Sequence, residues 1–237
     1  MQPARRRHES RRSRRYPRPV PASTGQRLLR FDRRLGVRFV AGADEAGRGS
    51  LAGPLVVAGV LFDYEALHGS RVRCLAGLND SKQVAPEARQ ELFHVVLTSA
   101  TAISVRVISS GEIDRRGLHR SNLGGLRAVL TDLRPAAEVY LVDGFRLGPT
   151  APPHWAIVDG DTKSAAIAAA SIVAKVVRDR AMRRLDALYP RYGFASHVGY
   201  ITPGHSLAVR THGPCEQHRL SFNAKAYANE ELLAAAS

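Results

Sequence analysis

Four carboxylates that border apolar stretches are the groups best suited to chemistry in this sequence. Asp44 and Glu45 directly follow one apolar run, and Asp143 ends a second. Asp161 lies just before a long alanine-rich stretch with a helical pattern. Open α/β sheets place their ligand sites at the carboxyl ends of strands. These acids are therefore candidates for a shared site at one edge of a sheet.

Each acid also has an explanation that involves no ligand. The pair 44–45 could form an exposed acidic turn, Asp143 an ordinary turn, and Asp161 or Asp159 the N-cap of the helix that follows. Neighbouring side chains on a strand point to opposite faces. The pair 44–45 can therefore address one site only if the strand ends or bends there, which Gly47 would allow.

Convergence of the four acids would require a cation. Grouped carboxylates repel one another unless divalent ions neutralise them, and an all-oxygen set of ligands suits Mg²⁺ or Mn²⁺. Two such ions about 3.5–4 Å apart can activate water and stabilise the leaving oxygen in phosphodiester hydrolysis. We therefore expect a two-metal site, beside a glycine-rich loop whose backbone amides suit phosphate. Its ligands would be Asp44, Glu45, Asp143 and Asp161.

Hydrophobic patterns place these acids on an α/β framework. Five short apolar runs predict strands at residues 39–43, 55–62, 103–107, 139–142 and 155–158. Three longer patterns predict helices that begin near Pro86, Leu118 and Ser164. Because strands and helices alternate without a linker after residue 38, we expect one α/β domain. Trp155, at the start of a predicted strand, is expected in the core.

The positive charge of the 237-residue chain is concentrated near its N-terminus. The formal net charge is +14, and residues 1–38 contain 13 arginines but only two acids, Glu9 and Asp32. We expect residues 1–36 to be a disordered basic tail, because they hold too few large apolar residues to offset the entropy of ordering. Residues 37–237 would form the single folded domain. The tail could add salt-dependent affinity for polyanions, or be a solvated extension without a role.

The composition argues against several classes of protein. No apolar stretch approaches the roughly 20 residues of a membrane-spanning helix, and none follows the N-terminal arginines as an export signal requires. The two cysteines, Cys74 and Cys215, form no CxxC pair, which argues against a disulfide framework and against a cysteine-ligated zinc site. We expect a cytoplasmic protein without a membrane partner.

Four histidines near the C-terminus could suggest a further metal cluster. They are His197, His205, His212 and His218. Their spacings fit no helical HxxxH pair, so zinc is not expected. Contact with phosphate or hydrogen bonding within the core is the favoured interpretation.

Several spaced motifs resemble those of bacterial ribonuclease HII. In chain order they are Ala43-Asp44-Glu45-Ala46-Gly47-Arg48-Gly49, Ala52-Gly53-Pro54, Asp80-Ser81-Lys82, Val142-Asp143-Gly144, Gly160-Asp161 and the run from Ala168 to Asp179. Gly199-Tyr200-Ile201-Thr202, His205 and the run from His218 to Phe222 extend the match, which covers residues 38–223. Several motifs in a consistent order are far more specific than a lone glycine loop.

The resemblance implies both a fold and a reaction. The fold would be ribonuclease H-like, with a mixed five-stranded sheet flanked by helices and a helical C-terminal part. The reaction would be metal-dependent hydrolysis of the RNA strand of RNA–DNA hybrids, and incision 5′ to single ribonucleotides in duplex DNA. The products would carry 3′-hydroxyl and 5′-phosphate ends. The catalytic, metal-binding acids would be Asp44, Glu45, Asp143 and Asp161.

The resemblance also implies which residues contact the substrate. The loop Gly47, Arg48 and Gly49 would contact the 2′-hydroxyl, the group that distinguishes RNA from DNA, through its backbone. Tyr200 would pack against the deoxyribose next to the ribonucleotide. Lys82, Lys163 and Lys175 are interpreted as phosphate contacts, and for Lys175 an exposed position on a helix is the alternative.

Two positions depart from the family pattern. Asp159 and Val198 stand where the family usually has lysine. Each removes a positive charge near the expected phosphate path, so we expect altered substrate affinity or metal preference rather than loss of activity. The arginines of the N-terminal tail could offset the deficit.

Two other functions stay open on the sequence. A non-catalytic nucleic-acid-binding protein could use the basic tail, but it has no need for four carboxylates beside a loop that contacts a 2′-hydroxyl. The related ribonuclease HIII usually carries an N-terminal DNA-binding domain, for which residues 1–36 are too short. A sliding clamp is a candidate protein partner, and a monomer is the default expectation.

Overall fold

The computed structural model describes residues 23–79, 81–82, 84–134, 136–222 and 227. Its strands are β1 (Phe39–Ala46), β2 (Leu55–Asp63), β3 (Ala102–Ile108), β4 (Val139–Asp143) and β5 (Trp155–Ile157). Its helices are α1 (Thr24–Arg33), α2 (Ser70–Cys74), α3 (Pro86–Ser99), α4 (Ser110–Arg116), α5 (Leu118–Asp132), α6 (Ala165–Leu188), α7 (Phe194–His197) and α8 (Pro203–His212). All five predicted strands and all three predicted helices are confirmed.

The strands form one mixed sheet in the order β3-β2-β1-β4-β5. β2 pairs antiparallel with both β1 and β3, whereas β1–β4 and β4–β5 are parallel. The expected mixed five-stranded sheet is therefore confirmed. Because β1, β4 and β5 run in the same direction, their carboxyl ends meet at one edge of the sheet.

Helices cover both faces of the sheet. Alternate residues of β1 and β2 point to opposite sides, as the two-residue period of a strand requires. On one side, Val40 and Val60 pack with α6, α3 and α1, and on the other, Ala41 and Val57 pack with α5. β2 is buried along its whole length, which explains its uninterrupted apolar sequence.

The long helix α6 crosses the centre of the sheet. Its first half is rich in alanine, and small side chains allow the helix backbone to approach the strands closely. Gly42 of β1 shows how close this approach is, since a Cβ atom there would lie 2.2 Å from the carbonyl carbon of Ala166. Ser164 caps the helix by accepting a hydrogen bond from the amide of Ile167.

The predicted boundary of the disordered tail at residue 36 is wrong. Helix α1 lies inside the expected tail, and its Leu28 and Leu29 are buried in the main core. Ser23 and Gln26 form a reciprocal capping box, a local signal that the arginine-rich composition obscured. The remaining part of the predicted tail, residues 1–22, lies outside the described residues.

A helical C-terminal part follows α6, as expected. Met182, Tyr192, Phe194 and Val209 form a third apolar cluster there, which is smaller than the two that cover the sheet. In the part of the chain that the structure describes, no helix is both long enough and apolar enough to cross a membrane.

Candidate active site

The four predicted acids line one cavity of about 250 Å³ at the carboxyl edge of the sheet. Asp44 and Glu45 lie near the end of β1, and Asp143 is the last residue of the parallel strand β4. Asp161 lies in a short 3₁₀ turn between β5 and α6. The topology thus brings together residues that are more than 100 positions apart in the chain.

Asp44 and Glu45 reach this cavity from opposite faces of β1. The strand continues through both residues to Ala46, so no bend separates them. Asp44 lies beside Ser171 of α6, and Glu45 lies beside Asn122 of α5, on the other side of the sheet. Both side chains line the same cavity because it lies at the end of β1, where it is reached from either face of the strand.

Burial and mutual repulsion oppose ionisation of these acids. Burial, followed by the charges of Glu45 and Asp143, raises the pKa of Asp44 well above its usual range. Burial and the charge of Asp143 raise the pKa of Glu45 to about 7, although the charge of Arg48 partly opposes this. Without a cation the cluster is therefore electrostatically unfavourable.

Asp143 and Asp161 are held at the cavity by the turn that follows β5. Asp143 Oδ1 accepts a hydrogen bond of 2.6 Å from the amide of Gly160. Asp161 is buried within this turn. It does not cap α6, because Ser164 does so, and the capping explanation for Asp161 and Asp159 is therefore wrong.

The donor set fits a divalent metal ion. The buried Glu45 Oε2 and the buried Asn122 side-chain amide lie beside each other, and apart from this contact neither has a hydrogen-bond partner among the described residues. Such groups are costly unless a ligand satisfies them. Within the same residues, no three potential ligands are already gathered closely enough for one ion. Hard carboxylate oxygens are nevertheless the ligands that Mg²⁺ and Mn²⁺ prefer.

The Gly47–Gly49 loop forms one wall of the cavity. Gly47 has φ +87°, a conformation that favours glycine. Arg219 holds the loop from behind, since its guanidinium donates to the carbonyls of Arg48 and Gly53. Gly49 and Arg48 are exposed on the side that faces the cavity.

Apart from Lys175, five of the six predicted substrate-contacting residues line the cavity. They are Gly47, Arg48, Gly49, Lys82 and Tyr200, and Tyr200 is 38% exposed. Lys163 does not line it, because its Nζ donates to the carbonyl of Val158 at 2.6 Å. Lys175 lines the cavity and pairs with Asp179 at 2.7 Å, so the alternative of an exposed surface position is wrong.

Sequence reasoning missed several polar residues of the site. Ser171 and Ser81 line the cavity and share a hydrogen bond of 2.9 Å, and Asn122 is buried beside Glu45. Ser171 and Ser81 belong to motifs quoted above, so their motif membership was an available signal. Asn122 lies in the middle of α5, where nothing in the local pattern marks it.

The prediction for Trp155 is wrong. Its side chain is 57% exposed, because β5 is an edge strand of only three residues. Trp155 lines a depression of about 500 Å³ together with Glu138 and His154. This depression is larger than the carboxylate cavity, but it lacks a cluster of acids. Volume alone therefore does not mark the chemical site.

Comparison with known proteins assigns the family. The family model for ribonuclease HII matches residues 41–225. The chain belongs to the ribonuclease HII family. Curated relatives include ribonuclease HII from Rhizobium meliloti, 47% identical over 86% of this chain and 90% of the relative. Another is ribonuclease HII from Acidothermus cellulolyticus, 46% identical over 82% of this chain but only 63% of that longer protein.

Solved structures agree with this assignment. Ribonuclease H2 from Pyrococcus horikoshii matches with a TM-score of 0.67 and 26% identity, over 83% of this chain and 98% of that one. A PCNA–ribonuclease HII complex from Archaeoglobus fulgidus matches with a TM-score of 0.65, 26% identity and coverage of 81% and 99%. Ribonuclease HIII from Bst, solved with Mn²⁺, shares the fold at 19% identity and a TM-score of 0.63, over 87% and 73%.

Family membership decides between the functions that the sequence left open. Ribonuclease HII is a hydrolase, a type 2 ribonuclease H that acts as an endonuclease. Membership of this family therefore rules out the alternative function of a non-catalytic nucleic-acid-binding protein. Ribonuclease HIII shares the fold, but the family model and the curated relatives are those of ribonuclease HII.

Proposed function

We propose that the carboxylate cavity cleaves RNA strands of RNA–DNA hybrids and incises duplex DNA 5′ to a single ribonucleotide. One observation carries this proposal. Four carboxylates from β1, β4 and the turn before α6 line the same cavity as the Gly47–Gly49 loop and Tyr200. Acids for metal binding and groups that can sense a 2′-hydroxyl therefore stand within one cavity.

The oxygens of Asp44, Glu45, Asp143 and Asp161 would hold the divalent metal ions. When bound, these ions would supply Lewis acidity at the phosphate and a lowered pKa for coordinated water. Buried Glu45 Oε2, which has no hydrogen-bond partner other than the neighbouring Asn122 among the described residues, supports this assignment. We propose two ions, either Mg²⁺ or Mn²⁺.

The chain's own residues would bind and orient the substrate. Backbone groups of the Gly47–Gly49 loop would contact the 2′-hydroxyl, which both donates and accepts hydrogen bonds. Lys82 and Lys175 stand on the cavity wall, where ammonium groups suit contact with phosphates. Tyr200 would pack its partly exposed ring on the adjacent deoxyribose. Substrate selection would thus rest on the loop and Tyr200, and the reaction on the acids.

Partner and compartment extend the same proposal. The matching Archaeoglobus protein is in a complex with PCNA, which supports a sliding clamp as a partner of this chain. Cys74 and Cys215 are free cysteines, which fits a reducing, cytoplasmic compartment. These features concern where the enzyme meets its substrate rather than how it cuts.

The deciding experiment is cleavage of a DNA duplex that carries one ribonucleotide. We expect incision 5′ to the ribonucleotide with Mg²⁺ or Mn²⁺, loss of incision after chelation, and no cutting of an all-DNA duplex. Asp44→Asn should abolish incision, because it removes one anionic metal ligand and leaves the side-chain volume nearly unchanged.

Asp132→Asn is the matched control. Asp132 pairs with Arg106 on the β3 edge and does not line the cavity. This variant should retain full activity. Full activity of Asp44→Asn would exclude the proposed site, and tight binding without incision under both metals would exclude the proposed reaction.

A further inference from the structure

Three histidines, for which no zinc site was predicted, form a cluster that contacts the Tyr200 backbone. The imidazole rings of His197 and His205 stack with centroids 4.2 Å apart, and those of His205 and His218 lie 5.2 Å apart. His205 and His218 are 0% and 2% exposed. The ring of Phe194 contacts all three. The prediction of hydrogen bonding within the core is confirmed for this cluster.

The hydrogen bonds of His205 and His218 form a continuous chain. The amide of Cys215 donates to His218 Nδ1 at 3.0 Å. His218 Nε2 lies 3.1 Å from His205 Nε2, and His205 Nδ1 lies 2.8 Å from the carbonyl oxygen of Tyr200. The chain therefore begins at a backbone donor and ends at a backbone acceptor.

These two ends determine where the protons lie. Because His218 Nδ1 accepts from the Cys215 amide, neutral His218 carries its proton on Nε2 and donates it to His205 Nε2. His205 then carries its proton on Nδ1 and donates it to Tyr200. The opposite arrangement would let His218 Nδ1 donate to the Cys215 carbonyl, 3.2 Å away. It would leave the Cys215 amide unbonded and a ring lone pair facing the Tyr200 carbonyl, which is unfavourable.

Burial favours the neutral form of both rings. It lowers the pKa of His218 to about 4, with the neighbouring His205 as the next cause, and it also lowers the pKa of His205. The titratable groups that face the pair are His197, the Cys215 thiol, Tyr192 and Tyr227. In the described part of the chain, neither ring forms an ion pair with a carboxylate.

The segment that follows the Gly47–Gly49 loop contacts residues near both ends of the histidine hydrogen-bond chain. Just after the Gly47–Gly49 loop, the amides of Leu51 and Ala52 donate to the carbonyl of Gly199. On its other side, this segment pairs with His218, through the bridge between Ala52 and His218. The hydrogen bond between His205 and His218 links this bridge to the Tyr200 carbonyl. Tyr200, the segment after the loop and His218 are therefore connected to one another by hydrogen bonds.

We propose that His205 and His218 are positioning residues that hold Tyr200 against the Gly47–Gly49 loop through a neutral, directional hydrogen-bond chain. The proposal rests on the proposed function, in which Tyr200 selects the deoxyribose next to the ribonucleotide. Neither ring lines the carboxylate cavity, so their effect on the substrate would be indirect, and the shortest route is the hydrogen bond from His205 to the Tyr200 carbonyl. The structure therefore links junction selection to two buried side chains that do not line the substrate cavity.

The first measurement is the ring-nitrogen NMR spectrum of the unsubstituted chain. We expect His205 to be protonated on Nδ1 only and His218 on Nε2 only, at neutral pH. His197 serves as an internal reference, because its Nδ1 accepts from the Gly199 amide and its Nε2 faces the Tyr192 carbonyl. Protonation of His205 on Nε2 would overturn the proposal.

The second measurement compares two substrates, a duplex with one ribonucleotide and a uniform RNA–DNA hybrid. His205→Leu should lower the ratio of kcat/KM for the single ribonucleotide over the hybrid roughly tenfold, the size expected for a small misplacement. His205→Asn should keep most of the ratio, because its amide can donate from the Nδ1 position. His212→Leu is the matched control, since His212 is exposed on the same C-terminal part.

A double-mutant cycle separates positioning from a general structural role. In a Tyr200→Ala background, His205→Leu should not change the substrate ratio further. A full additional loss would show that His205 acts elsewhere and would overturn the proposal. If the unsubstituted chain cut neither substrate, the proposed function itself would fail, whereas an active chain with an unaltered ratio in His205→Leu would refute only the positioning role.

Discussion

Gly47 lies directly against the buried side chain of Arg178, since a Cβ atom added at Gly47 would fall 1.8 Å from Arg178 Nε. Arg178 is fully buried, and it donates to the carbonyls of Pro54 and Ala52 at 3.0 and 3.3 Å. Its guanidinium also lies 5.6 Å from the centre of the Tyr200 ring. Arg178 of helix α6 therefore packs against both the Gly47–Gly49 loop and Tyr200, two parts of the cavity wall.

Gly47→Ala should destabilise the protein and impair cleavage. A side chain at φ +87° is strained, and this one would also collide with Arg178. We expect the free energy of unfolding to fall by about 2 kcal/mol or more. Urea denaturation measures the loss, and an unchanged midpoint would show that the loop can move away from α6.

Gly49→Ala should instead separate activity from stability. A Cβ atom at Gly49 meets nothing within 4 Å, and Gly49 is not among the residues with positive φ. We expect the free energy of unfolding to change by less than about 0.5 kcal/mol. Incision at a ribonucleotide should fall roughly tenfold, because the methyl group would stand where the ribose approaches.

Gly204→Ala is the matched control for Gly49→Ala. It also has open space around its Cβ position, but it lies on α8, outside the cavity. Its incision rate should equal that of the unsubstituted chain. Equal rates for both variants would argue against contact between the loop and the substrate.

Val198→Asn should stabilise the fold. Val198 has φ 43° and ψ 38°, a left-handed conformation that is strained for a β-branched side chain and tolerated by asparagine. We expect a gain of about 1 kcal/mol in the free energy of unfolding. Asp159, at φ 50°, offers the comparison, since Asp159→Asn replaces one tolerated residue by another and should be nearly neutral. Equal effects of the two substitutions would contradict the strain argument.

Asp32 should make stability depend on pH between about 4 and 6. Burial raises the pKa of Asp32 to about 6, although hydrogen bonds from Tyr64 and from the amide of Ala166 oppose this. At a pH below the pKa of Asp32 in the unfolded chain, the protonated side chain makes its full contribution to the free energy of unfolding. As the pH rises through the higher pKa of the folded state, this contribution, on the order of 3 kcal/mol, is lost.

Asp32→Asn isolates this contribution, because asparagine does not titrate. The unfolding free energy of the unsubstituted chain minus that of Asp32→Asn should fall from pH 4 to pH 6 and stay level above that range. Chemical denaturation at several pH values measures the difference. Parallel curves for the two proteins would refute the raised pKa.

Local patterns in the sequence were sufficient to predict the framework and to single out the acids that line the cavity. The strands β1 and β2 follow from apolar runs, and helix α6 from its alanine-rich pattern, because burial imposes a periodicity on nearby residues. Asp44 and Asp143 were identifiable for the same reason, as acids at the ends of strands. The spaced motifs also indicated the family that the comparisons then established.

Only the tertiary structure decided which distant side chains meet. Asn122 lies beside Glu45 because α5 packs on one face of β1, and no local pattern encodes that contact. The hydrogen bond between His205 and His218 depends on how α8 and the following segment fold against Phe194. Helix α1 packs on the core through only a few apolar residues, which a composition dominated by arginine concealed. Periodicity records burial along a single element, whereas these contacts depend on the packing of several elements in three dimensions.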